Sequence, residues 1–164
     1  MNLDRIHTRR LELVLPTIDE VRASIESMSP AEKEHVSDDW LDLVRKASSS
    51  DPWIHGFAIS TRDHGFVVGR CGFKGPPDSD GTVEIAYAID PDHQGRGYAT
   101  EAAKTLVAFA FGNGGVRAVY AHTLPQTNAS TRVLTKCGFQ RVGEVMDPDD
   151  GLVWRWQKKR VSPA

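Results

Sequence analysis

Residues 94 to 99 read Gln94-Gly95-Arg96-Gly97-Tyr98-Ala99, two glycines and then a small residue at the point where a helix has to begin. Glycine costs backbone entropy, so it is kept where the main chain takes an unusual turn or lets another group come close. A strand that passes through such a turn into a helix presents several N–H groups with no intrahelical partner. The aligned peptide dipoles add partial positive charge at the same place. The segment therefore has the chemistry of an anion site. A tight turn without a ligand is the plain alternative. Two familiar phosphate loops do not match. The dinucleotide fingerprint needs a third glycine where Thr100 stands, and the Walker loop needs a Gly-Lys-Ser/Thr run, whereas no lysine follows before Lys104.

Proton-handling groups can be sought in the strands that flank this loop. In residues 82 to 89, strand alternation sets Val83, Ile85, Tyr87 and Ile89 on one face and Glu84, Ala86 and Ala88 on the other. A carboxylate beside two methyl groups either packs under something bulky or leaves room for a ligand. Glu84 is thus a candidate base, with pairing to an arginine or to a substrate's ammonium as the alternatives. His122, at the end of the run ValArgAlaValTyrAlaHis, is the second candidate, because imidazole exchanges protons near neutral pH. An ordinary strand-end histidine is its other reading. His93 lies beside the loop. His, Cys, Asp and Glu never cluster with ligand spacing, so no metal is expected.

The elements that must position these residues follow from periodicity and punctuation. Leu11, Leu13 and Leu15 mark an early strand closed by Pro16. Thr17 with Glu20 and Ser29 with Glu32 are capping boxes, the second with Pro30 at the first helical position, and they predict helices over 17–28 and 30–47. A loop is expected at 48–52. Three strands then run over 53–60, 66–73 and 82–89, separated by turn residues, as an antiparallel meander. Ala99, Ala103, Leu106 and Ala110 follow helical spacing up to the glycines at 112–115. The strand–helix–strand order implies a parallel pair with a right-handed crossover. A short helix capped by Asn128 or Ser130 ends at Gly138. A terminal hairpin turns at 147–151, with Leu152, Trp154 and Trp156 sharing one face that reads as core.

At 164 residues the chain is long enough for one domain, residues 1–164, with a full core. Twenty Lys and Arg against 22 Asp and Glu give a net charge of -2, which advertises no nucleic-acid partner. No apolar run approaches the roughly 18 residues of a membrane span, and the first residues alternate charged and apolar types too quickly for a signal peptide. A cytoplasmic protein is expected. Cys71 and Cys137, each followed by Gly-Phe, read as reduced structural thiols.

Taken in order on these elements, the motifs resemble the GCN5-related N-acetyltransferases. Gln94-Gly95-Arg96-Gly97-Tyr98-Ala99 matches their Q/R-x-x-G-x-G/A signature. ThrArgArgLeuGluLeu (8–13), GlyArgCysGlyPhe (69–73), GluIleAlaTyr (84–87), TyrAlaThrGluAla (98–102) and LeuThrLysCysGlyPhe (134–139) are similar to the branch that holds ribosomal-protein N-terminal acetyltransferases. The resemblance implies an α/β fold: a mixed, mostly antiparallel twisted sheet of about seven strands with helices on both faces. It implies acetyl-CoA as cosubstrate, its pyrophosphate held by main-chain amides from Gln94 to Thr100 and its oxyanion met by a strand amide near Ile89. Transfer to a primary amine would go by direct attack in a ternary complex. Relatives use a carboxylate at the position of Glu84 as base. Many place a tyrosine where Leu134 stands; in the resembled branch a serine matching Ser130 lies near the sulfur, and Asn128 would contact the pantetheine. Helix capping would serve that pair equally well. Arg96 is a minor phosphate contact or simply solvated. The helices over 17–47 would wall the acceptor site, and their acids either favour a cationic acceptor or form a solvated face. The acceptor is a protein N-terminus or a small-molecule amine, and the chain a monomer or homodimer. The rival reading is a non-catalytic acyl-CoA sensor or partner-binding module.

Overall fold

In the computed structural model, residues 5–34, 36, 38–46, 51–148 and 151–160 are described, and eight strands form one sheet. The strands are β1 (Arg5–His7), β2 (Leu11–Val14), β3 (Phe57–Thr61), β4 (Val67–Phe73), β5 (Thr82–Ile89), β6 (Ala118–Thr123), β7 (Gln140–Asp147) and β8 (Gly151–Lys159). The helices are α1 (Ile18–Glu26), α2 (Pro30–Glu34), α3 (Asp38–Lys46), α4 (Pro52–His55), α5 (Tyr98–Phe111) and α6 (Ala129–Lys136). The spatial order is β1-β2-β3-β4-β5-β6-β8-β7. Every neighbouring pair is antiparallel except β5 and β6, which α5 connects as the expected parallel pair. The mixed, mostly antiparallel sheet is as expected, and β1 supplies an eighth strand.

The core lies between α5 and the strands it crosses. Ala102, Ala103, Leu106 and Ala110 are fully buried, against Leu11, Leu13, Cys71 and Ile85 of β2, β4 and β5. Three alanines on one helical face let the backbone of α5 come close to the sheet, and Leu106 fills the space between them. Burial pushes the Cys71 thiol up to about 12 and raises that of Cys137, so both stay protonated structural groups. On the opposite face of β4 and β5, Arg70 and Ala88 stand opposite each other in the ladder, as do Gly72 and Ala86. There α3 and α4 form the cover, joined by a hydrogen bond from the Trp40 indole to the Ile54 carbonyl (2.6 Å).

Two expected elements are corrected. The run beginning at Trp53 opens as the single-turn helix α4, because the Asp51 carboxylate caps the Trp53 amide (2.8 Å), Pro52 presets the first turn and Gly56 ends it at φ +73°. The helix expected over 30–47 is divided into α2 and α3, the second opening on Asp38 and Asp39, which favour a helix N-terminus. In the terminal hairpin Trp156 is core, but Leu152 is exposed and Val153 is buried in its place. Part of the loop at 48–52 and the centre of the turn at 147–151 lie outside the described residues. Among the described residues no helix is long and apolar enough to cross a membrane.

Gly69 lets β4 and β5 approach. A Cβ there would lie 2.1 Å from the Ala88 carbonyl oxygen, a backbone atom that cannot step aside. Gly69→Ala is expected to lower stability by roughly 1–3 kcal/mol through this overpacking. Urea denaturation would show a lower midpoint with an unchanged slope; an unchanged midpoint would mean that the ladder yields without cost.

Candidate active site

Strand β5 is paired on one side by β4 as far as Ile89. On its other side, its register with β6 runs only through Thr82↔Ala118, Val83↔Val119 and Glu84↔Tyr120. Beyond that point β6 remains paired to β8, through Thr123, and residues 85–89 have no ladder partner in β6. A cleft of about 380 Å³ lies along this edge, bordered by Tyr87, Ala88 and Ile89 of β5, by the glycine loop, and by Ser130, Arg132 and Lys136 of α6.

The loop is built as the glycines require. Gly95 and Gly97 have φ of +78° and +83°, in the left-handed region that L side chains seldom adopt. Gly97 caps α5 with no side chain, and the first helical hydrogen bond is donated by the Glu101 amide to the Gly97 carbonyl. The amides of residues 98 to 100 precede that bond and have no helical acceptor. Of the residues expected to hold an anion here, Gln94, Gly95, Gly97, Tyr98, Ala99, Thr100 and Ile89 border the cleft. The Gln94 side chain is used within the loop, donating to the Ile89 carbonyl (2.9 Å). Arg96 is exposed and is not part of the cleft wall; its carbonyl accepts from Arg10 (2.7 Å). Arg132 and Lys136, absent from the sequence reading, add two cationic side chains to the wall. Their four-residue spacing on α6 was the available signal.

A clamp from the far end of the sheet fixes this loop. The Arg10 guanidinium donates to the Glu101 carboxylate (2.8 Å) and lies 4.9 Å from the centre of the Tyr98 ring. The Arg10 amide also donates to Glu101 (2.9 Å), and the Thr8 hydroxyl donates to the same carboxylate. Burial pushes the Glu101 carboxyl up, but the hydrogen bonds from Thr8 and Arg10 and the charge of Arg10 outweigh it, and the net direction is down.

Ser130 faces the cleft, and its hydroxyl is 3.2 Å from that of Tyr87, where either oxygen can donate. Burial raises the Tyr87 hydroxyl to about 12, an effect the Ser130 contact partly offsets, so the phenol keeps its proton at neutral pH. Tyr87 was assigned only to the apolar face of its strand. The hydroxyl, which needs a partner when buried, was the overlooked signal. Leu134 is fully buried in the core. Asn128 forms the capping box of α6, its side chain accepting from the Thr131 amide (3.0 Å) while its own amide donates to the Thr131 hydroxyl (2.9 Å). It caps the helix and is not part of the cleft wall.

The two candidate bases meet. Glu84 Oε2 is 3.0 Å from His122 Nδ1 and 2.8 Å from Lys74 Nζ, and Glu84 and His122 are each about three-quarters buried or more. A carboxylate only accepts, so a proton on Nδ1 is what would join the two groups. Glu84 also borders a separate cavity of about 230 Å³ with Tyr120 and Arg155. Neither Glu84 nor His122 lies on the wall of the larger cleft.

The fold agrees with comparison to known proteins. Residues 10–140 match the family described as an acetyltransferase (GNAT) domain, and the chain belongs to that family. It is 35% identical over 89 residues to the uncharacterized N-acetyltransferase YjdG of Bacillus subtilis, an overlap of 54% of this chain and 51% of that protein. The chain spans about half the length of the curated relatives it matches. Among solved structures, it shares its fold with the ribosomal-protein-S5-alanine acetyltransferase of Vibrio fischeri (TM-score 0.67, 13% identity, 94% of this chain and 96% of that one). It shares it also with the microcin C7 self-immunity acetyltransferase MccE, solved with acetyl-CoA and AMP (TM-score 0.66, 14% identity, 93% and 94%).

The Glu101 clamp has a pH signature. Its folded carboxyl titrates below its unfolded value, so its contribution is complete above the ordinary glutamate value of about 4.3 and is lost as pH falls through the folded value. Glu101→Gln is expected to be less stable than the parent by about 1–3 kcal/mol at pH 7. The gap should narrow in denaturation at pH 3.5. An equal gap at both pH values would refute a contribution from the ionised form.

Proposed function

We propose that the chain is an N-acetyltransferase that passes the acetyl group of acetyl-CoA to a primary amine, at a protein N-terminus or on a small molecule, by direct attack in a ternary complex. The observation that carries this reading is the single cleft that joins the uncapped N-terminus of α5 to the Tyr87–Ser130 hydroxyl pair along the unpaired edge of β5. The residues fit a CoA thioester. Amides of 95–100, with Arg132 and Lys136, suit its phosphates. The edge of β5 suits the pantetheine amides, and the amide near Ile89 suits the oxyanion.

Within this site the attacking amine must lose a proton and the departing sulfur must gain one. His122 and Glu84 stand off the wall of that cleft, so His122 takes the amine proton through water, with the Glu84 carboxylate 3.0 Å from its Nδ1. The nitrogen lone pair forms the C–N bond and the carbonyl oxygen becomes the oxyanion; its collapse breaks the C–S bond, the sulfur takes a proton from the Ser130 hydroxyl, and Ser130 regains one from solvent by way of Tyr87. Tyr87 thus supplies a phenol beside Ser130, which lies on the helix that carries Leu134. The fold shared with a ribosomal-protein-S5-alanine acetyltransferase supports an N-terminal amine as one acceptor class, at the level of architecture only.

Release of CoA thiol from acetyl-CoA across an amine panel tests this directly. At least one amine should drive release, and Ser130→Ala and His122→Gln should each lower turnover by about tenfold or more, within the usual worth of a general acid or base. Thermal protection by acetyl-CoA without thiol release for any amine would instead identify an acyl-CoA-binding module. Separately, Gly97→Ala should weaken that protection, since it disfavours the φ of +83° and brings a methyl group to 3.1 Å from Arg10 Nη2.

A further inference from the structure

A second cavity, of about 320 Å³, opens on the opposite face of β4 and β5, between those strands and the cover formed by α3 and α4. Tyr87 and Ala88 border both this cavity and the larger cleft, so the two meet across one strand. Opposite Ala88 in the ladder stands Arg70, exposed and on the cavity wall. Several arginines are engaged, Arg10 with Glu101, Arg62 with the Thr8 carbonyl, Arg155 over Tyr120 and Arg160 with the Val116 and Phe111 carbonyls, and of those whose side chains are not, Arg70 is the one on this wall. Among the described residues no hydrogen bond, ion pair or ring contact engages Arg70.

The remaining wall supplies no opposing charge. His55 is buried, and its Nδ1 accepts the Asp51 amide (2.6 Å). Burial lowers its pKa, in part against the pull of Asp51, so the ring is neutral at pH 7. Among the described residues no aspartate or glutamate borders the cavity. Trp40, Ile54 and Phe57 supply apolar surface. A cationic acceptor would meet a like charge here. An anionic group would meet a guanidinium whose planar fork suits a carboxylate.

We propose that the amine acceptor is a small molecule that also bears a carboxylate, held by Arg70, with an apolar body lying against Trp40 and Ile54. This rests on the acetyltransferase reading above and narrows its acceptor class. Gly72 and Ala86, opposite each other between Arg70 and the Lys74–Glu84 pair, leave the floor of the trough low enough for such a molecule to lie along it.

The test compares three amines of one shape: leucine, leucinamide and 3-methylbutylamine, with phenylalanine, phenylalaninamide and phenethylamine as a second set. Each is followed by CoA thiol release from acetyl-CoA with the parent and with Arg70→Gln. The parent should prefer the carboxylate-bearing member by at least about tenfold in kcat/KM, the lower range for a charged hydrogen bond. Arg70→Gln should shrink that ratio toward one, mainly through KM, while thermal protection by acetyl-CoA persists and reports an intact fold. The variant's ratio controls for differences in amine basicity. Equal use of all three amines by the parent, or an unchanged ratio in Arg70→Gln, overturns the anionic-acceptor proposal and leaves acetyl transfer standing. Absence of thiol release with all six amines, when another amine of the wider panel drives it, overturns this inference alone; absence across the wider panel overturns the acetyltransferase reading with it.

Discussion

The parting of β5 from β6 after Glu84 is the constraint on which the rest of the structure depends. Past that point each strand still has a ladder on its other side, β5 with β4 from Ile85 to Ile89 and β6 with β8 throughout. The cost of unpaired peptide groups is therefore confined to one edge. In a closed sheet those groups would be consumed by pairing, and in a water-filled gap they would remain solvated. Here α6 lies across the gap and brings Ser130 to the Tyr87 hydroxyl, which makes the edge a wall rather than a frayed end. The same split lets Glu84, the last residue of β5 paired to β6, reach His122 two positions beyond its register partner Tyr120.

The loop and the split are one design, because the strand whose edge is exposed is also the strand that leads into the glycines. A single turn at Pro91–His93 and two left-handed glycines redirect the chain from β5 into α5. The helix N-terminus is thereby aimed along the edge it has just left. Arg10 then ties that corner to the start of β2, so the position of the amides is fixed by a contact far away in sequence. Side-chain capping by Ser, Thr or Asp would have consumed the same amides, and glycine leaves them available.

This division explains what was legible in the sequence. The Gly95–Gly97 turn, the strand over 82–89 and helix α5 are set by local periodicity and backbone chemistry, and they stand where the pattern placed them. The Asp51-Pro52 cap was equally local but was hidden by the β-favouring Trp53 and Ile54. The Glu84–His122 contact depends on a three-pair parallel register, and the Tyr87–Ser130 contact joins residues 43 positions apart. The Arg10–Glu101 pair spans 91 positions. Such pairings are specified by the fold as a whole, and no local spacing announces them. Asn128 shows the converse. Its resemblance-based role was a ligand contact, while its own short-range chemistry, three residues before Thr131, spends its side-chain oxygen on a helix cap.

What separates a binding surface from an ordinary cleft is whether its polar groups already have partners. Gln94 and Asn128 lie beside the cleft but use side-chain atoms on local backbone. The amides of 98–100 have no helical acceptor, and Arg70 has no partner among the described residues. Folding tends to pair polar groups, since an unpaired one forfeits free energy when water is limited. An unpaired cation can persist where it stays hydrated, as exposed Arg70 does. These unspent donors lie on either side of one strand, with Ala88 in contact with both cavities. Tyr87 borders both as well, so a donor held on one side and an acceptor held on the other would meet beside it.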